Sequence, residues 1–295
     1  MSEVVLRSDG LRKEFGTDDR VLTGADLDVR EGEILVLMGP NGVGKTVLLS
    51  CFAGSEVPTA GSVEVFGEPV RHTDGKYLNF MLQDSVAIEK LSGRENAEFY
   101  AGIHPRFTDR WESYVEELGL ADDLDKLVEH YSEGMKRKLE FSLTMSGEVP
   151  IYLLDEPTAG VDLTNIQRFH DIIGNQYDRG KTFVVSSHRP MDANIADRLA
   201  FMPDGSISAV GTPEALLEAV STVVTVRGRA SIRATESLVR DEQLFPVGGE
   251  ARGFLKPEAD VDDVRNAVDN PDTVDTLEPT YTDLFNYYVH VEPES

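Results

Sequence analysis

The chain has 295 residues, enough to bury a full core and to hold one large domain with a smaller one beside it. Its formal charge of −25 sets 53 acidic side chains against 28 basic ones, a surface that repels a nucleic-acid backbone and argues against that class of partner. No run approaches the roughly 18 consecutive apolar residues of a membrane span. Met1-Ser2-Glu3 has neither the basic start nor the apolar core of a secretion signal, so the chain is expected to stay inside the cell.

In chain order, Glu33 to Met38 runs apolar, as a parallel strand buried on both faces does. It leads into Gly39-Pro40-Asn41-Gly42-Val43-Gly44-Lys45-Thr46, after which Thr46 to Ala53 reads as a helix. Cys51, the single cysteine, sits in the apolar stretch Val47 to Phe52 and is expected as a small core residue. Ser62 to Phe66 alternates like a strand of a smaller antiparallel sheet. Tyr77 to Leu82 precedes Gln83, and Arg94 to Ile103 and Thr108 to Leu118 read as helices. In the second, Trp111, Tyr114, Val115 and Leu118 share one face, a core-packing stripe. Gly134 to Ser146 is a further helix, and Ile151 to Leu154 and Lys181 to Ser187 are buried strands. Arg198 to Pro203 and Ser206 to Val210 suggest a hairpin around Asp204-Gly205. Beyond Leu217 the composition changes. Thr222 to Arg229 alternates like a strand, and Asp260 to Val268 and Tyr281 to Tyr288 suggest helices. Thr280 is placed to cap the last one, with Asp283 three residues on and Leu284, Phe285 and Tyr288 as its apolar face. The reading is a cassette over 1–220 and a small α+β domain over 221–295.

The chemistry concentrates in three places. Glycines let the loop from Gly39 to Thr46 curl so that successive N–H groups point at phosphate oxygens, and the helix behind adds its positive end. In such a loop Lys45 reaches the β- and γ-phosphates and the Thr46 hydroxyl meets Mg²⁺. Asp155 and Glu156 close the strand that starts at Ile151. There Asp155 suits a metal, and Glu156 can orient or deprotonate an attacking water. Ser132 and the amides of Gly134 and Met135 open a helix and form a second anion site. Lys136, Arg137 and Lys138 follow in its first turn, either adding positive field near a phosphate or standing as plain exposed charge.

The order of these parts, from about Leu6 to Leu217, resembles the ATPase subunit of an ABC transporter. That resemblance implies a P-loop NTPase fold with a mostly parallel core sheet, an antiparallel subdomain and a helical subdomain. It also implies ATP and Mg²⁺ as ligands. The family's switch histidine corresponds to His188, and its metal- and water-contacting glutamine, bordering the membrane-subunit contact, to Gln83. Phe15 matches the adenine-stacking aromatic and Asp162 the loop that crosses between subunits. In the family, Ser132 and Gly134 serve the γ-phosphate of ATP held by a partner cassette. Two chains then pair head to tail and drive a separate membrane permease from the cytoplasmic face.

Glu133 and Met135 depart from the family's commoner Gly and Gln, and a carboxylate at Glu133 is repulsive to phosphate unless it points away. Gly134-Met135-Lys136-Arg137-Lys138-Leu139-Glu140 is similar to the exporter branch for drugs or polysaccharides. So, interrupted by an insertion, is the ending Leu277 to Phe285. An importer ATPase and a non-hydrolysing regulatory module are the rival readings. The spread of acids, with 19 Arg and 9 Lys, fits a very salty cytoplasm and predicts a halophilic, archaeal source.

Overall fold

The computed structural model describes residues 3–16, 19–73 and 75–291; the Met1-Ser2 start lies outside them. β1 (Val4–Phe15), β2 (Asp19–Thr23) and β3 (Leu27–Arg30) open the chain, with β1 antiparallel to both of the others. β4 (Ile34–Met38), buried at every residue, begins a central sheet and feeds α1 (Lys45–Phe52). β5 (Ala60–Val65) returns to pair with β1, and the short β6 (Glu68–Pro69) pairs with β5. After β7 (Leu78–Met81) come α2 (Gly93–Ile103), α3 (Arg110–Glu117) and α4 (Glu133–Met145), an inserted helical layer. β8 (Ile151–Asp155), α5 (Leu163–Tyr177) and β9 (Thr182–Ser187) follow. Next come β10 (Arg198–Phe201), β11 (Ala209–Gly211) and α6 (Pro213–Ala219). The remainder is β12 (Val223–Val226), α7 (Arg229–Thr235), β13 (Phe245–Val247), β14 (Glu250–Phe254), α8 (Val261–Ala267), β15 (Val274–Leu277) and α9 (Tyr281–Asn286).

The central sheet has the order β11-β10-β4-β9-β8-β7, parallel except at β11. Both faces of β4, β8 and β9 are covered, which is why those strands read as unbroken apolar runs. One face packs on the antiparallel layer and α1 through Leu35, Leu37, Leu48, Phe52 and Leu153. The other packs on α4 and α5 through Val36, Tyr152, Phe141 and Phe169. Register places Met38 beside Ser187, Asp155 beside Ser186 and Met81 beside Leu154. The segments that leave β4, β9, β8 and β7 therefore emerge side by side at one carboxyl edge, where open α/β sheets hold ligands.

The stripe on α3 packs as expected: Trp111, Tyr114, Val115 and Leu118 are all buried, and Cys51 is fully buried in the second core. Burial also pushes the Cys51 thiol up to about 11. Two expectations need correction. The turn at Asp204-Gly205 does not close a tight hairpin, because Phe201 pairs with Ala209 and leaves a long loop. That loop is held by the antiparallel layer instead, with the Thr23 N–H donating to Gly205 O at 3.0 Å and Ser206 bridging to Gly24. Thr222 to Arg229 is not extended throughout; the strand stops at Val226 and α7 begins at Arg229. α5 is not among the expected elements, although Asp162 caps it and Ile166, Phe169, Ile172 and Ile173 recur at helical spacing on its buried face.

The chain after α6 forms a four-stranded antiparallel sheet, β13-β14-β12-β15. α7 and α8 cover one face of it around Val224, Val226, Val264 and Val274. α9 starts at the expected cap, Thr280 and Asp283 bonding each other reciprocally, and then widens into a π-turn over Tyr287–Val291. That turn lies against the cassette. Tyr288 stacks on Phe201 with ring centroids 5.0 Å apart, and Tyr287 meets Phe254 edge-on at 5.0 Å.

Candidate functional site

The loop between β4 and α1 is shaped by glycine. Gly42 and Gly44 adopt φ +85° and +107°, a region L side chains rarely enter. A Cβ at Gly39 would stand 2.3 Å from the Met202 carbonyl oxygen, so no larger residue fits there. Pro40, Asn41 and Val43 complete the curl, Asn41 exposed and Val43 packed on the core. Lys45 is buried inside the loop, its Nζ donating to the carbonyls of Gly39 (2.8 Å) and Pro40 (2.9 Å). Burial pushes its pKa below the ordinary lysine value, with Glu156 acting in the opposite direction.

Glu156 faces this loop. Its Oε1 lies 3.3 Å from Lys45 Nζ, and its Oε2 lies 3.2 Å from His188 Nδ1, at ionic distance without hydrogen-bond alignment. The residue holds φ +46°, a left-handed conformation that costs on the order of 1 kcal/mol outside glycine and aims its carboxylate back over the sheet edge. Ser186 fixes this geometry, accepting the Glu156 N–H at 2.9 Å while its hydroxyl donates to Asp155 Oδ1. The other Asp155 oxygen, Oδ2, is buried without a partner. An orphaned buried carboxylate oxygen at this edge is the feature a cation satisfies. Thr46 Oγ1 and Gln83 Oε1, 3.5 Å apart, supply the neutral oxygens that Mg²⁺ prefers. Among the described residues no cluster of three His, Cys, Asp or Glu side chains forms a ready metal site, so phosphate and water oxygens would complete the coordination.

The switch side is braced from beneath. Asp192, fully buried, accepts from Ser187 Oγ (2.5 Å) and Thr158 Oγ1 (3.0 Å) and meets His170 Nε2 at 2.9 Å. Burial alone would raise the Asp192 pKa, but the bonds from His170, Ser187 and Thr158 outweigh it and hold the group below its ordinary value. Arg189 joins the same net through its N–H to Ser187 Oγ and its guanidinium to Thr158 O. Most of this net carried no signal in the sequence: Asp192 reaches Thr158 and His170 across 34 and 22 residues and Ser186 reaches Asp155 across 31, and only the bond to Ser187 spans as few as 5.

The remaining expected residues stand as follows. Phe15 ends β1 with 42% of its surface exposed and Lys13 Nζ 4.7 Å from its ring centroid, so it is not a core aromatic. Ser132 caps α4, accepting from Met135 N–H at 3.3 Å, and a Cβ at Gly134 would lie 3.4 Å from Gly160 O. Asp162 caps α5 through Asn165, bonds that lower its pKa. Glu133 is exposed to solvent and pairs with Lys136 at 3.6 Å. The basic run is not uniform. Lys136 pairs with Glu89 at 3.0 Å, but Arg137 turns inward and is buried, against both readings of it as field or exposed charge.

Between β7 and the helical layer lies a groove of about 710 Å³, lined by Leu78, Phe80, Val86, Tyr100, Ile103 and Phe107. No helix among the described residues is long and apolar enough to cross a membrane.

Comparison with known proteins places this geometry. The family model described as ABC transporter matches residues 22–159. The chain is 32% identical over 224 residues to the daunorubicin resistance ATP-binding protein DrrA3 of Streptomyces coeruleorubidus, covering 73% of this chain and 71% of that protein. It is 31% identical over 236 residues to ABC transporter A family member 7 of Dictyostelium discoideum, covering 76% of this chain but only 28% of that much longer protein. In fold it matches, at TM-score 0.64 and 20% identity, an ATP-binding cassette solved as a dimer in a post-hydrolysis state with ADP and Pi, over 70% of this chain and 98% of that one. The glycine cradle, the paired carboxylates and these likenesses together establish that the chain belongs to the ABC transporter family, as an ATP-binding cassette.

Proposed function

We propose that the chain hydrolyses ATP and thereby powers a separate membrane permease for export of a small molecule, drug-like compound or polysaccharide. The observation that carries the hydrolytic reading is the convergence on Glu156. Its two carboxylate oxygens face Lys45 and His188 at 3.3 and 3.2 Å, directly above the glycine cradle. In this reading the amides from Gly39 to Thr46 and Lys45 hold the β- and γ-phosphates. Phe15 stacks on adenine, and Glu156 orients the water and accepts its proton during in-line attack. His188 contacts the γ-phosphate. Thr46, Asp155 and Gln83 would hold a Mg²⁺ ion, which would supply charge neutralisation for the phosphates. The Glu156–Lys45 and Glu156–His188 contacts are then exchanged for contacts to substrate.

A dimer follows from the exposed Ser132 turn: Ser132 and Gly134 of one copy cover the ATP held by the other, with Asp162 at the crossing, as the dimeric cassette it resembles suggests. The groove along β7 and the helical layer, beside Gln83, is the docking site for the permease at the cytoplasmic face. The export reading rests on likeness to a drug-resistance ATP-binding protein. The reading divides the chain into a cassette over 1–220 and an accessory domain over 221–295, and the acidic surface marks a halophilic source.

Turnover of ATP by the purified protein is expected, and Glu156→Gln should lower kcat by about a hundredfold or more while retaining nucleotide binding. Equal turnover by the two proteins would overturn the reading.

A further inference from the structure

α4 begins at the Ser132 turn and, one and two turns on, buries two charged side chains that point at the hydrolytic edge rather than at a partner. Arg137 has five N–H groups, and all five are used on backbone carbonyls. Nε donates to Pro157 O (3.2 Å), Nη1 to Leu82 O (2.6 Å) and Gln83 O (3.0 Å), and Nη2 to Asp155 O and to Glu156 O (2.8 Å). One rigid fork thus ties the end of β8, where both carboxylates sit, to the loop that carries Gln83. Glu140, one turn further on, holds the far side of the same loop, its carboxylate accepting the Val86 N–H at 3.0 and 3.2 Å. Both side chains are more than nine-tenths buried.

We propose that Arg137 is a positioning residue for hydrolysis, setting Gln83 and the backbone of Glu156 in register with the helix that starts at Ser132. This rests on the ATPase reading above. A cation removed from water costs several kcal/mol unless its donors are met, so the carbonyls must stay gathered around the fork for it to remain buried. Displacement of α4 is then transmitted to the carbonyls of residues 82, 83, 155 and 156 together. A fork-shaped donor is required, because a lysine offers three hydrogens from one point and cannot span two chain segments at once. The same helix presents Ser132 at its start and this fork a turn later. Occupation of the partner-facing end is therefore linked by rigid structure to the placement of Gln83 and Glu156 in its own site.

The test uses the full-length protein, wild type and Arg137→Lys, each with and without Gln83→Ala, with melting temperature, kcat and KM for ATP measured at matched salt. Arg137→Lys is expected to fold, to lose between about tenfold and a hundredfold in kcat and to keep KM within roughly threefold. Gln83→Ala should then cost markedly less in the Lys background than in wild type, because its placement is already lost. A folded Arg137→Lys protein with kcat within about twofold of wild type, or a Gln83→Ala factor equal in both backgrounds, overturns the proposal. Should Arg137→Lys fail to fold, Glu140→Gln, which keeps the shape and weakens the grip on Val86, replaces it under the same two criteria. Wild-type protein without turnover would overturn the ATPase reading and this one with it; normal wild-type turnover with additive variants overturns this one alone.

Discussion

Glu156 illustrates how a residue is made reactive by its surroundings rather than by its type. A left-handed backbone, a hydroxyl at Ser186, the Lys45 ammonium and the facing His188 ring hold one carboxylate in one orientation. Asp192 does comparable work below His188. Asp192→Asn should destabilise the protein by about 2 kcal/mol at neutral pH, since hydrogen bonds to a buried charge are stronger than those to an amide. Its folded pKa lies below the ordinary 3.8, so the stability it adds is present above that value and is lost as pH falls through the folded one. Thermal melts of the two proteins should therefore differ by a constant amount from pH 7 down to about pH 5 and converge below about pH 4. A gap that widens on acidification would show that the carboxylate is not held this way.

At the scale of elements, much was legible. The loop from Gly39 to Thr46 could be read because its conformation depends on glycines within it, and β4, β8 and β9 because a strand covered on both faces must be apolar throughout. The cap at Thr280 is likewise local. Lys136, Arg137 and Lys138 were not legible in the same way. Successive residues on a helix fan out by about 100°, so only one of the three can face the core, and which one is set by how α4 lies on the sheet. The end of the chain gives a graded prediction. Thr280→Ala removes one cap and should cost about 1 kcal/mol. Tyr288→Ala, which vacates the stack on Phe201 and the bond from Tyr288 OH to Leu216 O, should cost about 3 kcal/mol or more in denaturant titration. Equal costs would mean that the π-turn does not brace the cassette.

Across the whole molecule, the core is continuous between cassette and C-terminal sheet. Leu199, Phe201, Val223, Phe254, Leu284 and Tyr288 belong to one apolar cluster. α9 also packs on Pro190–Ile195, the segment that carries Asp192 just beyond His188. The surface pulls the other way: a net charge of −25 makes the folded state repel itself in dilute buffer. Melting temperature and ATP turnover should both rise between low salt and molar KCl, where the screening length falls from about 30 Å to about 3 Å. Full stability and activity in dilute buffer would refute the halophilic reading.

The sequence by itself determined the chemistry that neighbours in the chain can specify: a phosphate loop, a pair of carboxylates at a strand end, a histidine after an apolar strand, and a helix opened by Ser132. Those features depend on residues a few positions apart, whose geometry follows from backbone preferences and strand or helix period. Tertiary structure alone decided that Ser186 bridges Asp155 and Glu156, that Asp192 meets Thr158 and His170, and that Arg137 points inward to bind the carbonyls of two segments. Each joins groups far apart in sequence, and burial makes such groups satisfy one another only after the sheet has set which strands are adjacent.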